Sequence, residues 1–160
     1  MGPAEIRAAA AGAPSGTVIA TRDDLTAWIA SHAASLVDDR AVTFVVTLDG
    51  GLRVAPRRSE HIACAGGGDV LAAGELVLGR DARVVEATNQ STGFCPEPGC
   101  WSALAAALDR AGVPRPPRFT NAIVFRRCDA CGERNIVKDD VFVCAICDAE
   151  LPTVWNFGTG

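Results

Sequence analysis

The chain has 160 residues, a formal net charge of −4 and a pI near 5.1. This length suits one folded domain with a modest core and a small annex. The acidic balance argues against nucleic acid as a partner, because phosphate binding needs a basic surface. No apolar run approaches the roughly 18 residues that cross a bilayer, and the N-terminus lacks the order of a signal peptide, so we expect a cytoplasmic protein without membrane contact.

The N-terminal part predicts a flexible tail followed by a helix. Residues 1–16 are mostly Ala, Gly and Pro, which bury too little apolar surface to offset the entropy lost on ordering. Thr21 and Asp24 have the spacing of a capping box, and apolar residues then recur at helical intervals. A first helix is expected from about Arg22 to Val37, with His32 packed on its apolar side.

Two hairpins are predicted next. Ala41 to Leu48 is β-branched and apolar, Asp49-Gly50 is a strong hairpin turn, and Leu52 to Ala55 supplies the returning strand. Glu75 to Leu78 and Arg83 to Thr88 form a second pair around a four-residue turn. The two hairpins are expected to build one antiparallel sheet.

The sequence after these hairpins predicts a covering helix, a stiff connector and one more strand. Apolar residues from Trp101 onward have helical spacing, and Gly112 can end this helix with a left-handed cap. Residues 114–117 contain three prolines, and 119–125 read as a strand. The apolar stretch 154–157, with Trp155 and Phe157, is expected to pack onto the protein, although docking to a partner remains open.

Cys128, Cys131, Cys144 and Cys147 form two Cys-x-x-Cys pairs with twelve residues between them. This is the spacing of a structural zinc ribbon, in which two tight knuckles direct four thiolates at one ion. Four thiolates leave no open position for water or substrate, so the zinc is expected to hold the fold rather than to catalyse. Two disulfides or buried free thiols are the alternative, but nothing indicates an oxidising compartment.

These patterns predict the α+β class: a small antiparallel sheet with two helices and a C-terminal zinc ribbon. The expected division is a tail over 1–16, a core domain over 17–125, and the ribbon with the chain end over 126–160. Residues 126–160 carry four basic and six acidic side chains, so the ribbon has no basic stripe.

Two further segments are candidates for a functional site. In residues 61–69, His61 is the expected general acid or base, with Asp69 or Glu75 as an orienting carboxylate. Residues 89–98 form a polar loop between a strand and a helix. The expected ligand-binding residues are a glycine run and the polar residues of this loop: Gly66, Gly67, Gly68, Asn89, Gln90, Ser91 and Thr92. A sharp bend, turn formation and helix capping are the alternative interpretations.

The same two segments carry a family resemblance. His61, the pair Gly67-Gly68, Val70 and the stretch Ala73-Gly74-Glu75 match, without gaps, the histidine, glycine pair and Ala-Gly-Glu of a domain shared by plant IQ-motif calmodulin-binding proteins and bacterial effector-like proteins. The resemblance covers about residues 41–112. It implies no activity, and calmodulin is not implied as a partner because the IQ motif lies outside the domain.

The second segment resembles the Asn-Lys-Ser-Gly-His-Tyr-Arg-Pro stretch of that domain. Asn89, Ser91, Phe94 and Pro96 occupy the corresponding places, and a helix follows as it does in the family. The residues at 93 and 95 are Gly and Cys where the family has His and Arg. Any anion binding or proton transfer by those two groups is therefore lost in this chain.

A rival interpretation makes a second zinc site from His61, Cys64, Cys95 and Cys100. The ligand types suit zinc and are similar to those of nucleobase deaminases. The deaminase pattern needs His-x-Glu and Pro-Cys-x-x-Cys, whereas Ala63 replaces the acid and the two later cysteines are too far apart.

Three functions remain open on sequence alone. The favoured one is a cytoplasmic zinc-binding module that recognises a protein partner or a small polar ligand through a cleft between the His61 and Asn89 loops. The second is an enzyme acting on a polar, nucleotide-like substrate, with His61 as acid or base. The third is nucleic-acid binding through the ribbon, which the acidic charge disfavours.

Overall fold

The computed structural model describes residues 16–36 and 38–158. The strands are β1 (Thr17–Ile19), β2 (Ala41–Thr47), β3 (Leu52–Pro56), β4 (Val70–Leu78), β5 (Val84–Thr88), β6 (Val124–Arg127) and β7 (Arg134–Val137). The helices are α1 (Arg22–Ser31), α2 (His61–Cys64) and α3 (Trp101–Arg110), with 3₁₀ turns at Ala33–Leu36 and Pro98–Cys100. The predicted tail, apart from Gly16, lies outside the described residues.

The first five strands form one antiparallel sheet in the order β1-β3-β2-β4-β5, and β6 pairs with β7 in a separate two-stranded sheet. The predicted α+β class with an antiparallel sheet is confirmed. We call residues 124–151 the cysteine ribbon and residues 152–158 the C-terminal segment. The predicted domain boundary between residues 125 and 126 falls inside β6.

The two longer helices cover one face of the five-stranded sheet. Trp28 of α1 and Leu104 of α3 pack with Phe44 of β2 in the largest buried cluster. The opposite face carries Val45 and is covered by α2 and by Phe94. Central strand β2 is therefore buried on both faces, and both candidate segments lie on the side away from α1 and α3.

The first hairpin has the predicted Asp49-Gly50 turn, and Gly50 has a φ of +83° that glycine adopts readily. The second hairpin differs from the prediction, because β4 begins at Val70 instead of Glu75. The additional residues pair with β2, with Val70 opposite Thr47. The chain leaves β5 after Thr88, and a Cβ on Gly74 would lie 1.9 Å from the Thr88 carbonyl oxygen, so the chain can pass over β4 there only because residue 74 has no side chain.

Helix α1 begins as predicted but ends early. Thr21 and Asp24 form the capping box, whereas the α-helix stops at Ser31 instead of continuing to Val37, which lies outside the described residues. The Ser31 hydroxyl donates to the Trp28 carbonyl, and the His32 ring stacks on Trp28 at 4.1 Å. These local contacts compete with continued helix, because they occupy a carbonyl that the next turn would use.

Helix α3 ends as predicted, with Gly112 at a φ of +68°. The predicted strand over 119–125 is divided between the two regions. Phe119 is buried in the core and Thr120 hydrogen-bonds Ala87 of β5, while β6 begins only at Val124 and pairs within the ribbon. The connector therefore packs against the core until shortly before the ribbon begins.

Candidate functional site

The four cysteines of the ribbon come together. Their sulfur atoms all lie within 4.8 Å of one another, and the pairs Cys128–Cys147 and Cys131–Cys144 are each 3.6 Å apart. These distances exceed the roughly 2.05 Å of a disulfide bond. They are close to the sulfur–sulfur separation of about 3.8 Å that a tetrahedral site with 2.3 Å zinc–sulfur bonds requires. The group could therefore hold a metal ion.

The two Cys-x-x-Cys knuckles have the same backbone geometry. The N–H of Gly132 donates to the carbonyl of Cys128 at 2.8 Å, and the N–H of Asp148 donates to the carbonyl of Cys144 at 3.1 Å. Both residues have a left-handed φ, +78° for Gly132 and +58° for Asp148. Each chain reversal thus brings the two thiols of its knuckle to the same side.

Asn135 of β7 connects the knuckles. Its amide nitrogen donates to the carbonyl of Glu133 at 3.1 Å and to the Cys144 sulfur at 3.5 Å, and its oxygen accepts from the N–H of Ala145 at 2.9 Å. A hydrogen bond from the N–H of Ile146 is the main cause that lowers the pKa of the Cys144 thiol to about 6. These donors favour the thiolate of Cys144, which is the form that binds metal. At Cys131 and Cys147 backbone donors lower the pKa, but desolvation and hydrogen bonds with neighbouring thiols outweigh them, so the pKa of each is raised.

A tight turn closes the ribbon hairpin between the knuckles. Asp139 and Asp140 both have a left-handed φ, +52° and +56°, and the N–H of Val141 donates to the Lys138 carbonyl. Two consecutive left-handed residues define a type I′ turn, whose twist matches that of antiparallel strands. The hairpin holds the second knuckle against the first.

The C-terminal segment contacts both the ribbon and the core through hydrogen bonds and apolar packing. The Arg126 guanidinium donates to the carbonyls of Pro152 and Thr153 at 3.1 and 2.7 Å. The Trp155 indole donates to the carbonyl of Cys95 at 2.8 Å, and Phe157 is buried in one cluster with Cys95 and Phe125. The predicted packing of Trp155 and Phe157 onto the protein is thus what the structure has.

A cleft of about 310 Å³ opens where the C-terminal segment meets the core. We call it the junction cleft. Its walls are the start of β4, the end of the 89–98 loop, the 3₁₀ turn and the two C-terminal aromatic residues: Asp69, Val70, Leu71, Phe94, Pro96, Glu97, Gly99, Cys100, Trp155 and Phe157. The two predicted loops thus do border a cleft, but through their C-terminal ends, and neither His61 nor Asn89 lines it.

His61 lies at the edge of the sheet. Its Nε2 donates to the carbonyl of Gly74 at 3.0 Å. Burial lowers the pKa of the imidazole, and the hydrogen bond to Gly74 and the nearby Glu75 carboxylate oppose this shift only in part. The ring therefore favours the neutral form. A catalytic role for His61 stays a prediction.

Asn89 also adjoins Gly74 and is fully buried. A Cβ on Gly74 would lie 2.9 Å from the Asn89 Cα. The Asn89 side chain donates to the carbonyls of Pro96 and Ile123 and accepts from the N–H of Ile123 at 2.7 Å. The predicted proximity of the two segments is therefore present. Each side chain nevertheless bonds the protein's own backbone, and ligand contact by Asn89 stays a prediction.

The glycine run ends helix α2. Gly66 and Gly67 have left-handed φ values of +69° and +81°. Their N–H groups donate to the carbonyls of Ala63 and Ile62 at 3.0 and 2.9 Å. These two donors are therefore used in capping the helix, as in other glycine-ended helices. Gly68 is exposed and its role as a backbone donor stays a prediction.

The remaining polar candidates are spread over different surfaces. Ser91 is buried and its hydroxyl accepts from the N–H of Phe94, while Thr92 is exposed and its carbonyl accepts from Arg134. Glu75 and Gln90 line a separate polar groove that also contains Arg57, Glu86 and Asp39. Arg57 lies 3.7 Å from the Glu75 carboxylate. Of the three predicted catalytic residues, only Asp69 borders the junction cleft.

The rival second metal site is absent among the described residues, where the only group of three or more suitable side chains is the ribbon's four cysteines. Cys64, Cys95 and Cys100 pack in three different apolar clusters. Burial raises the pKa of Cys64 to about 11 and that of Cys100 to about 12, and it also raises the pKa of Cys95. These thiols stay protonated and behave as small apolar side chains.

Sequence reasoning missed Asn135 and Glu97. Asn135 stands in a strand between the two cysteine pairs, where a polar residue facing the sulfurs is a signal that could have been used. Glu97 lies between two prolines, and nothing in that pattern indicates a cleft. Arg126 was counted only as a charge, although it is buried and holds the C-terminal segment.

Comparison with known proteins adds no relative: no protein-family model, no curated protein and no solved structure matches the chain. The resemblance to the domain of plant IQ-motif and bacterial effector-like proteins therefore depends on its sequence motifs alone. Within the described residues, no helix has both the length and the apolar character to span a membrane.

Proposed function

We propose that this protein is a zinc-stabilised recognition module, in which Cys128, Cys131, Cys144 and Cys147 hold one structural zinc ion. The support is the close approach of four sulfurs at tetrahedral spacing and the N–H donors directed at Cys144. All-sulfur donor sets favour zinc over calcium or magnesium, which prefer oxygen. When bound, the ion supplies a cross-link between the knuckles and no open position for catalysis.

A reducing, cytoplasmic location goes with this proposal. All seven cysteines are free thiols, and those of the ribbon must stay reduced to bind an ion. Cys131 and Cys147 are exposed, so an oxidising compartment would convert them to forms that do not coordinate metal.

The recognition site that we propose is the junction cleft. The observation that carries this proposal is that its walls come from three parts of the chain: Asp69 to Leu71 of the core, Phe94 to Glu97 of the polar loop, and Trp155 with Phe157 of the C-terminal segment. Its volume is within the range of roughly 300–1,000 Å³ that is typical of ligand pockets. The ribbon supports one wall from outside, because Arg126 anchors the start of the C-terminal segment.

Native mass spectrometry would test the metal part. We expect one zinc ion per chain, and Cys128→Ser should lose it because three thiolates bind zinc far more weakly than four. Cys64→Ser removes a thiol outside the ribbon and should keep the ion. Unchanged metal content in the Cys128 variant would contradict the assignment.

A filled-cleft variant would test the recognition part. Gly99 lines the junction cleft and a Cβ there meets nothing within 4 Å, so we expect Gly99→Trp to place an indole in the cleft. Gly158 is equally open and lies outside the lining residues, which makes Gly158→Trp the matched control. In ligand-observed NMR with a fragment library, we expect hits that Gly99→Trp abolishes and Gly158→Trp preserves. Hits that are insensitive to both changes, or no hits, would contradict recognition at this cleft.

A further inference from the structure

Three of the ten residues that line the junction cleft are aromatic. They are Trp155, Phe157 and Phe94. The Trp155 and Phe157 ring centres are 6.0 Å apart with their planes inclined by 47°, so the two rings form a corner instead of a flat stack. The hydrogen bond from the Trp155 indole to the Cys95 carbonyl fixes this corner in place.

The lining of the cleft includes the solvent-exposed carboxylate of Glu97, and no Lys or Arg is among the described residues that line it. The whole chain is also acidic, with a formal net charge of −4. An anionic ligand would therefore meet like charge at the cleft, whereas a cation would be attracted.

Aromatic faces attract cations through their ring quadrupole, and tryptophan is the strongest of the three aromatic side chains in this respect. One ring of this corner already makes a cation–π contact, since the guanidinium carbon of Arg127 lies 5.4 Å from the centre of the Phe157 ring. Arg127 is not a wall of the cleft, so the Trp155 and Phe94 rings remain available to a ligand.

We propose that the junction cleft binds an organic cation, specifically an alkylated ammonium group with an apolar surface. Aliphatic walls such as Leu71 and Pro96 would contact its methyl groups. The aromatic corner would interact with its diffuse charge, and Glu97 would add long-range attraction. A compact ammonium that keeps its water shell gains less from such walls, because the shell must be removed on entry. This inference depends on the proposed recognition function, since it names the ligand class of the same cleft.

Choline and its uncharged isostere 3,3-dimethylbutan-1-ol are the probes, because they have nearly the same shape and differ in charge. Titrations of the zinc-loaded full chain, followed by NMR chemical shifts, should show choline binding about tenfold more tightly than the alcohol. Glu97→Gln should weaken choline binding severalfold and leave the alcohol unchanged. Glu86→Gln, a carboxylate in the other groove, is the matched control and should change neither. Gly99→Trp should abolish binding of both probes.

The outcomes separate this inference from the proposed function. Equal or tighter binding of the alcohol overturns the cation preference, as does choline binding that survives Gly99→Trp. Absence of choline binding, with library fragments still lost in Gly99→Trp, overturns the cation inference while recognition at the cleft stands. Loss of binding in Trp155→Leu supports the aromatic corner only if metal content and melting temperature are retained, and unchanged choline affinity in such a folded variant overturns it.

Discussion

In the core, the sheet and helices α1 and α3 enclose a continuous cluster of aliphatic and aromatic side chains, with Leu25, Phe44 and Leu104 almost fully buried. In the ribbon, the buried cluster consists of Cys128, Cys144 and Leu151. Two of these three are candidate metal ligands. The core therefore has an apolar interior of its own, whereas the ribbon has little to bury apart from its candidate metal ligands.

This difference implies two kinds of stability in one chain. Core stability depends on buried area and should respond to the loss of methylene groups. With the proposed ion bound, ribbon stability is expected to depend on that ion and to respond to chelators and to the protonation of thiolates. Asn89 of the core bonds Ile123, the residue before β6, and Arg126 of the ribbon bonds the C-terminal segment, so the two regions are connected at both ends of the ribbon. The following predictions separate the two regions in order of decreasing effect.

The largest effect is expected from removing the metal. Binding of structural zinc contributes about 10–16 kcal/mol to the folding of small zinc domains. The other contacts inside the ribbon, such as those of Asn135 and Leu151, cannot replace a contribution of that size. Treatment with a chelator, or Cys144→Ser, should remove amide-exchange protection from β6 and β7 while β2 and β4 stay protected. Cys100→Ser is the matched control and should keep both the ion and the protection. Simultaneous loss of protection in β2 would show that the core depends on the metal.

The converse experiment creates a cavity in the core. Leu104 has no exposed surface, and Leu104→Ala should lower the free energy of unfolding by about 2–5 kcal/mol through lost burial and the cavity left behind. The metal-to-protein ratio of the folded protein should not change. Leu48→Ala, at a leucine that is 64% exposed, should have little effect on denaturant midpoints. Release of metal from folded Leu104→Ala would contradict the separation.

Asn89 tests the junction between the regions. Asn89→Ala would leave the Ile123 N–H and two carbonyls without their side-chain partner, at an expected cost of about 1–3 kcal/mol. We expect a lower melting temperature with one metal ion still bound. Gln90→Ala, at the exposed neighbour, should melt like the parent. If Asn89→Ala instead kept the melting temperature and lost ligand binding, the sequence-based role in ligand contact would be supported.

The smallest effect concerns pH and His61. Because burial lowers the pKa of His61 in the folded protein, the unfolded chain binds more protons below its ordinary pKa of about 6.5. The stability from neutral His61 is therefore present above that pH and is lost as the pH falls below it. The difference in melting temperature between wild type and His61→Gln should shrink as the pH falls from 8 to 5, because only wild type has a side chain that titrates at this position. Glutamine is the chosen substitution because its amide can still donate to Gly74. A constant difference across this range would contradict the burial argument.

The sequence was most informative where short-range chemistry decides the structure. The spacing of Cys128, Cys131, Cys144 and Cys147 predicts their meeting because each knuckle is local. Asp49-Gly50 and the Thr21 capping box predict a turn and a helix start for the same reason. The α+β class followed from these elements, since the order of hairpins and helices leaves few ways to bury one sheet.

Contacts between distant residues account for what the sequence could not predict. The full length of β4 depends on its pairing with β2, and the close passage of Thr88 over Gly74 is a contact that no local pattern records. The junction cleft joins residues near 70, 95 and 155, so its position required the tertiary structure. His61 and Asn89 were correctly expected to be neighbours, but their hydrogen bonds to backbone atoms depend on a strand end and a connector that the sequence does not show.

Arg126 has a consequence for how the ribbon is connected. Because its side chain reaches from β6 to the carbonyls of Pro152 and Thr153, the chain enters and leaves the ribbon within the length of one arginine. Residues 128–151 are therefore attached in the manner of an inserted module, whose ends a short linker can join. A shortened protein that linked Arg127 to Pro152 would retain Trp155 and Phe157, and the same attachment point could receive a different metal-binding loop.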